Sequence, residues 1–158
     1  MLVDANILLY AVDESSPHHE AASAWLSDRL TGNRRVGLPW QSVVAFLRIS
    51  THPRAAQHPL TPSEAWSYVS DWLAVDVAWI PTHTERHADI LAGLIADYDV
   101  RGNLIPDAEL ATLAMEHGLT VCSADTDFAR FREVPWQDPL AEAAGRDRGG
   151  VTPRSRGR

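Results

Sequence analysis

The chain opens on an apolar run broken by one acid: Met-Leu-Val, then Asp4, then Ala-Asn-Ile-Leu-Leu-Tyr. Residues 2–4 read as a buried strand ending near Asp4. With no basic residues ahead of it, the run does not read as a leader peptide. Between 17 and 30, apolar residues recur at 21, 22, 25, 26 and 30, the stripe of a helix. Pro17 suits its first turn, and Gly32-Asn33 stop it. Residues 36–40 read as a short strand or an extended lead-in, and 41–50 as a mostly buried helix ended before Pro53. Three prolines make 52–62 a loop. Thr61-Pro62-Ser63-Glu64 carries a helix start, with Thr61 as cap and Glu64 closing a capping box, and that helix runs to about Ala74. Residues 77–81 read as a strand. Thr82 or Thr84 is expected to cap the next helix, which extends to about Tyr98. Pro106 opens another helix, ended by Gly118. Residues 119–124 form a buried strand, and a last short strand falls near 134–136. Strands alternating with helices predict an α/β fold with a largely parallel sheet, in which sites form beyond the carboxyl ends of the strands.

Length and composition narrow the possibilities. A chain of 158 residues fits one domain, and a domain of this size buries roughly two thirds of its unfolded surface without covalent staples. The single cysteine, Cys122, rules out a disulfide framework or a Cys-based zinc centre within one chain, and reads as a core residue. No apolar run approaches the roughly 18 residues of a membrane span, so a cytoplasmic protein is expected. All 14 basic residues are arginine. The absence of lysine excludes a P-loop nucleotide site and a Schiff-base enzyme. It also excludes receiver domains and haloacid-dehalogenase-type phosphatases, which place aspartates at strand ends but rely on a lysine. Residues 145–158 hold five arginines and one aspartate, net +4, so of the total −7 the first 144 residues carry −11. An acidic body disfavours a general nucleic-acid-binding module. It leaves open an enzyme that gathers acids around a metal. The domain is expected over 1–140, with 141–158 a Gly/Arg-rich disordered tail.

Four aspartates stand where that chemistry would sit. Asp4 leaves the first strand, and an ionised carboxylate among apolar neighbours is costly unless paired, hydrogen-bonded or on a metal. Asp125 and Asp127 follow the strand 119–124, and Asp107 follows Pro106 in a helix's first turn. Each also has a purely structural explanation: a cap for the helix after Asp4, an Asx turn for Asp125 and Asp127, and a favourable helix dipole for Asp107 and Glu109. Taken together they would converge if the two strands are sheet neighbours. Crowded carboxylates raise one another's pKa, and a divalent cation removes the conflict. Oxygen-only ligands select Mg²⁺ or Mn²⁺ over zinc. Such a site orients a phosphate and activates water. His83 and His87 flank Glu85 at a spacing that could hold zinc from one helix face, but no third ligand is evident and a solvated turn is favoured. There is no Gly-x-Ser-x-Gly nucleophile elbow. The six tryptophans, Trp25, Trp66 and Trp72 among them, read as packing residues on helical stripes.

The stretches LVDANILLYA, FLRISTHPR, RGNLIPDAELATLAMEHG and VCSADTDFARF, in this order, resemble the VapC-type toxins of the PIN-domain ribonuclease family over residues 1 to about 140. The resemblance implies a three-layer α/β/α sandwich around a mostly parallel sheet and a Mg²⁺-dependent (or Mn²⁺-dependent) endoribonuclease acting on structured RNA, transfer or ribosomal, by metal-activated water. It assigns Asp4, Asp107 and Asp125 as metal ligands, with Asp127 as a further ligand or metal-water contact. Asn6 and Ser123 match the positions that orient these acids. Most members place a glutamate just before Phe-Leu-Arg, where this chain has Ala45. Gln41, one turn earlier, reaches the same face. The loss of that glutamate supports an alternative, a catalytically impaired PIN domain that binds RNA or an antitoxin. A phosphatase or DNA-directed nuclease using the same carboxylates is a further option. Arg48, Arg54, Arg101, Arg130 and Arg132 are the candidate RNA contacts, with the basic tail adding non-specific attraction. The resemblance further implies a cognate VapB-type antitoxin and a homodimer.

Overall fold

The protein, described here from a computed structural model, is resolved in detail over residues 1–141. The tail expected from 141 onward therefore lies, beyond its first residue, outside the described residues. Five two-residue strands form one sheet: β1 (Leu2–Val3), β2 (Val36–Gly37), β3 (Ala78–Trp79), β4 (Val121–Cys122) and β5 (Trp136–Gln137). Their order is β3-β2-β1-β4-β5 and every pairing is parallel. β1 is the middle strand. That position explains its unbroken apolar character, since a central parallel strand is covered on both faces.

The two residues of β1 show the layering directly. Val3 packs into a core with Ile7, Leu8, Val43, Phe46 and Val69, drawn from α1 (Ala5–Val12), α3 (Trp40–Ser50) and α4 (Pro62–Leu73), to which α2 (His19–Leu30) adds Leu26. Leu2 points the other way, into a core with Leu94 of α5 (His87–Tyr98), Leu110 and Leu113 of α6 (Leu104–His117), and Phe128. Successive strand residues face opposite sides of a sheet, so the helices divide into two covering layers. The result is a three-layer α/β/α sandwich. Gly37 lets β2 approach β1: a Cβ there would lie 3.0 Å from Leu2 Cδ1 and 3.1 Å from the Met1 carbonyl oxygen.

Several local expectations differ from the structure. Pro17 falls before α2, which begins at His19. α6 begins two residues before Pro106, at Leu104. Neither Thr82 nor Thr84 caps α5, which starts at His87 with Arg86 in the cap position and no side-chain cap bond. Thr84 instead closes the turn just ahead of the helix, its Oγ1 accepting the Arg86 N–H at 3.2 Å, while its hydroxyl and backbone N–H both donate to Glu116 Oε1, at 2.6 and 2.8 Å. The capping box of α4 forms as expected, with Thr61 Oγ1 accepting from the Glu64 backbone and Glu64 accepting from the Thr61 N–H. Trp72 is a core residue, its ring 5.0 Å from that of Phe46. Trp66, expected to pack, is 49 % exposed, and Trp40 is 50 % exposed. Cys122 is fully buried in β4. Among the described residues, no helix is long and apolar enough to cross a membrane.

Candidate metal centre

The register of β1 and β4 builds the site. Leu2 pairs with Val121 and Val3 with Cys122, so Asp4 and Ser123 emerge side by side at the carboxyl edge. The Asp4 backbone N–H extends the ladder to the Cys122 carbonyl at 3.0 Å. Beyond it, side chains take over. Ser123 Oγ donates to Asp4 Oδ2 at 2.7 Å, and Asn6 Nδ2 donates to the same oxygen at 2.9 Å. The Asn6 amide also reaches Ser123 Oγ at 2.8 Å, while its carbonyl oxygen accepts the Ala124 N–H at 3.2 Å. Ser123 Oγ accepts the Asp125 N–H at 3.0 Å. Ser123 is fully buried, so this one hydroxyl couples two acids from different strands.

The structural roles of the aspartates are realised too. Asp4 Oδ1 accepts the Ala5 N–H at 2.6 Å, capping α1. Asp125 Oδ1 accepts the Asp127 N–H at 2.8 Å and caps a 3-10 helix over Thr126–Arg130. Asp107 lies in the first turn of α6. These roles do not exhaust the acids. Carboxylate oxygens of Asp107, Asp125 and Asp127 lie within 4.8 Å of one another. Asp4, held by Asn6 and Ser123, is near enough for its charge to act on Asp107.

The electrostatics register this crowding. Burial, followed by repulsion from Asp4, Asp125 and Asp127, pushes the Asp107 carboxyl up to about 6. Burial also raises Asp4; the Ser123 hydroxyl and Ala5 N–H oppose the rise, and the Asp125 charge adds to it. Nearby like charges and desolvation both favour a carboxyl's neutral form. A small divalent cation would relieve both. The donors are all oxygens, which fits Mg²⁺ or Mn²⁺.

Gln41 lies beside this group. Its Nε2 donates to the Pro106 carbonyl at 3.3 Å, one residue from Asp107. Its Oε1 is buried and accepts no hydrogen bond, a neutral oxygen with unused capacity. Ala45 follows one turn later on α3. Of the five arginines proposed to meet RNA, Arg130 alone is seen to contact the acids, donating to Asp127 Oδ1 at 3.2 Å. Arg101 pairs with Asp99 at 2.7 Å, and Arg48, Arg54 and Arg132 are exposed.

A second group was only half visible in the sequence. His83 precedes α5 rather than sharing its helix face with His87, yet the two rings meet at a tilt of 35° with centroids 4.1 Å apart. Their acidic partner is Glu109 of α6, not Glu85: His83 Nε2 lies 2.9 Å from Glu109 Oε1 and His87 Nε2 lies 3.8 Å from it. Glu109 and Glu116 sit seven residues apart, on one face of a helix. That spacing, set beside His83 and His87, was the available signal.

Comparison with known proteins agrees with this architecture. The PIN-domain family model matches residues 1–134. Ribonuclease VapC37 of Mycobacterium tuberculosis is 44% identical over 140 residues, covering 89% of this chain and 97% of that protein. Ribonuclease VapC33 of the same species is 39% identical over 142 residues, covering 90% and 99%. Among solved structures, VapBC2 from Rickettsia felis bound to a DNA fragment from their promoter aligns with a TM-score of 0.63 at 13% identity, covering 86% of this chain and 96% of that one. At that identity the likeness speaks to fold alone. Family match, relatives and fold coincide, and the chain belongs to the PIN-domain family, among its VapC-type proteins.

Proposed function

We propose that this protein is the toxin of a type II toxin–antitoxin pair, an endoribonuclease that hydrolyses structured RNA with Mg²⁺ or Mn²⁺ held by Asp107, Asp125, Asp127 and Asp4. The observation that carries the reading is the meeting of three carboxylates within 4.8 Å at the sheet's carboxyl edge, with the Asp107 carboxyl pushed up to about 6. A cluster so destabilised without a cation is arranged for one. When bound there, the cation orients the scissile phosphate, activates water and stabilises charge on the departing 3′ oxygen. The chain's own contribution is geometry. Asn6 and Ser123 fix Asp4, Ser123 fixes the turn that presents Asp125, and α6 carries Asp107 in from the side. Gln41 offers a neutral oxygen one turn before Ala45, the position at which the family resemblance expects a glutamate.

The substrate must be drawn to an acidic body. Arg48, Arg54, Arg101, Arg130 and Arg132, with the basic tail, supply local positive charge for phosphates. The same acidic pocket suits a guanidinium from a VapB-type antitoxin, since charge-assisted bonds from arginine to carboxylates are among the strongest polar contacts. The toxin–antitoxin complexes among the structural relatives support such a partner. A homodimer and action in the cytoplasm complete the proposal.

The test is cleavage of total cellular RNA with Mg²⁺ or Mn²⁺ by wild type, Asp4→Asn and Asp107→Asn. Discrete fragments, lost in both variants and in EDTA, are expected. Fragments that persist in both variants refute the site. Ala45 favours a second reading, a PIN domain that binds RNA or antitoxin without cutting. It predicts RNA binding by a folded wild type with no fragments, and cleavage gained in Ala45→Glu.

A further inference from the structure

The paired histidines form a second cluster that shares no ligand with the four aspartates, and its donors are of a different kind. His83 Nε2 and Glu109 Oε1 lie 2.9 Å apart, His87 Nε2 and the same oxygen 3.8 Å, and all three ligand atoms fall within 4.8 Å of one another. Zinc held tetrahedrally at about 2.0–2.1 Å from each ligand places ligand atoms about 3.3 Å apart. The observed separations bracket that value, so small side-chain rotations suffice.

The cluster also has an outer support. His87 Nδ1 lies 2.9 Å from Glu116 Oε2, and the Glu116 side chain is fully covered from solvent. Glu116 is held in turn by the Thr84 hydroxyl and N–H, at 2.6 and 2.8 Å. A carboxylate on one ring nitrogen places the proton there and turns the other nitrogen's lone pair outward, as around histidines that ligate zinc. Here that nitrogen faces Glu109 Oε1 at 3.8 Å. A proton on the ring or a cation between the two would satisfy both groups. The histidine and carboxylate set favours zinc over the hard Mg²⁺. A cavity of about 230 Å³ lined by Trp40, Gln41, His83 and Glu109 opens onto the group. It leaves room for a fourth ligand from water or a small anion.

We propose that His83, His87 and Glu109 form a three-ligand Zn²⁺ site, with Glu116 orienting His87 and the fourth position open to the cavity beside Trp40. The site ties the segment before α5 to α6. It stands independently of RNA cleavage, because none of its ligands belongs to the aspartate cluster.

The experiment is Zn²⁺ calorimetry on the metal-free full chain carrying Asp107→Asn, which disables the aspartate cluster. Co²⁺ serves as a spectroscopic stand-in for tetrahedral coordination. One saturable Zn²⁺ is expected, with visible Co²⁺ bands that Zn²⁺ displaces and a large excess of Mg²⁺ does not. His83→Ala, at a side chain 59% exposed and so tolerant of change, should abolish both signals with the circular dichroism spectrum unchanged. Glu116→Gln should weaken Zn²⁺ binding by about 10–100-fold without abolishing it. No saturable Zn²⁺ in the Asp107→Asn chain, or uptake that His83→Ala leaves intact, overturns the proposal.

Discussion

Replacing Asp107 by asparagine should stabilise the metal-free protein while destroying its metal site. The Asp107 carboxyl rises from 3.8 to about 6, through burial first and the charges of Asp4, Asp125 and Asp127 next. Both causes penalise the ionised form, and asparagine is never ionised. An acid whose pKa is raised by folding holds its proton more tightly in the native state. Its benefit is therefore complete below about pH 4 and is lost as pH rises through about 6. At about 1.4 kcal/mol per pH unit, the ceiling on the cost above pH 6 is about 3 kcal/mol. The site is open to solvent, which screens the repulsion, and about half of that, about 1.5 kcal/mol, is the expected gain. A domain of this size unfolds with an entropy of about 0.3 kcal/mol/K, so the melting temperature should rise by about 5 °C. Thermal denaturation in EDTA at about pH 8 measures it, and repetition at about pH 4 supplies the control, where the gain should nearly vanish. Added Mg²⁺ should raise the melting temperature of wild type only, because a ligand stabilises just the form that binds it. An Asp107→Asn variant no more stable than wild type at pH 8 in EDTA, or equally favoured at both pH values, would refute the crowding argument.

Mg²⁺ affinity should climb about tenfold per pH unit below about 6 and flatten above it, because Asp107 must lose its proton to ligate; calorimetry that shows a flat profile from pH 5 to 7 contradicts this. Ser123→Ala removes a fully buried hydroxyl that serves Asp4, Asn6 and Asp125, and should cost about 1–3 kcal/mol in urea unfolding. The same change should raise the Asp4 pKa further, since the Ser123 hydrogen bond now lowers it, a shift that carboxyl NMR titration reads directly. Gly37→Ala places a Cβ 3.0–3.1 Å from Leu2, Met1 and Pro81, and should cost about 1–3 kcal/mol, with a loss below about 0.5 kcal/mol counting against close packing there.

The parts of this molecule that are legible in its sequence are those decided locally. The apolar run at 2–3, the capping box at 61–64 and the left-handed Gly118 that ends α6 each follow from a few neighbouring residues. The four aspartates were legible for a related reason: each sits at an element boundary, and the alternation of strands and helices sends such boundaries to one edge. What escaped depends on distant partners. Thr84 reads as a cap, and its Oγ1 does accept the Arg86 N–H ahead of α5, but its hydroxyl proton goes to Glu116, 32 residues away. Glu109 looked like a helix-dipole acid, and its meeting with His83 spans 26 residues. Trp66 sits on a helical stripe, yet burial depends on what lies across from it, and nothing local reveals that the ring is half exposed.

The hydrogen bond between Ser123 and Asp4 joins residues 119 positions apart, and that distance is also an interval of time. Asp4 is made well before its neighbours at the carboxyl edge. At about 5–20 residues per second, the stretch between them takes about 6–24 s to make. Until β4 is available, β1 lacks one of its two flanking strands, and Asp107, Asp125 and Asp127 have not gathered beside the end of β1. The carboxylate group can be complete only once Asp127 has been made.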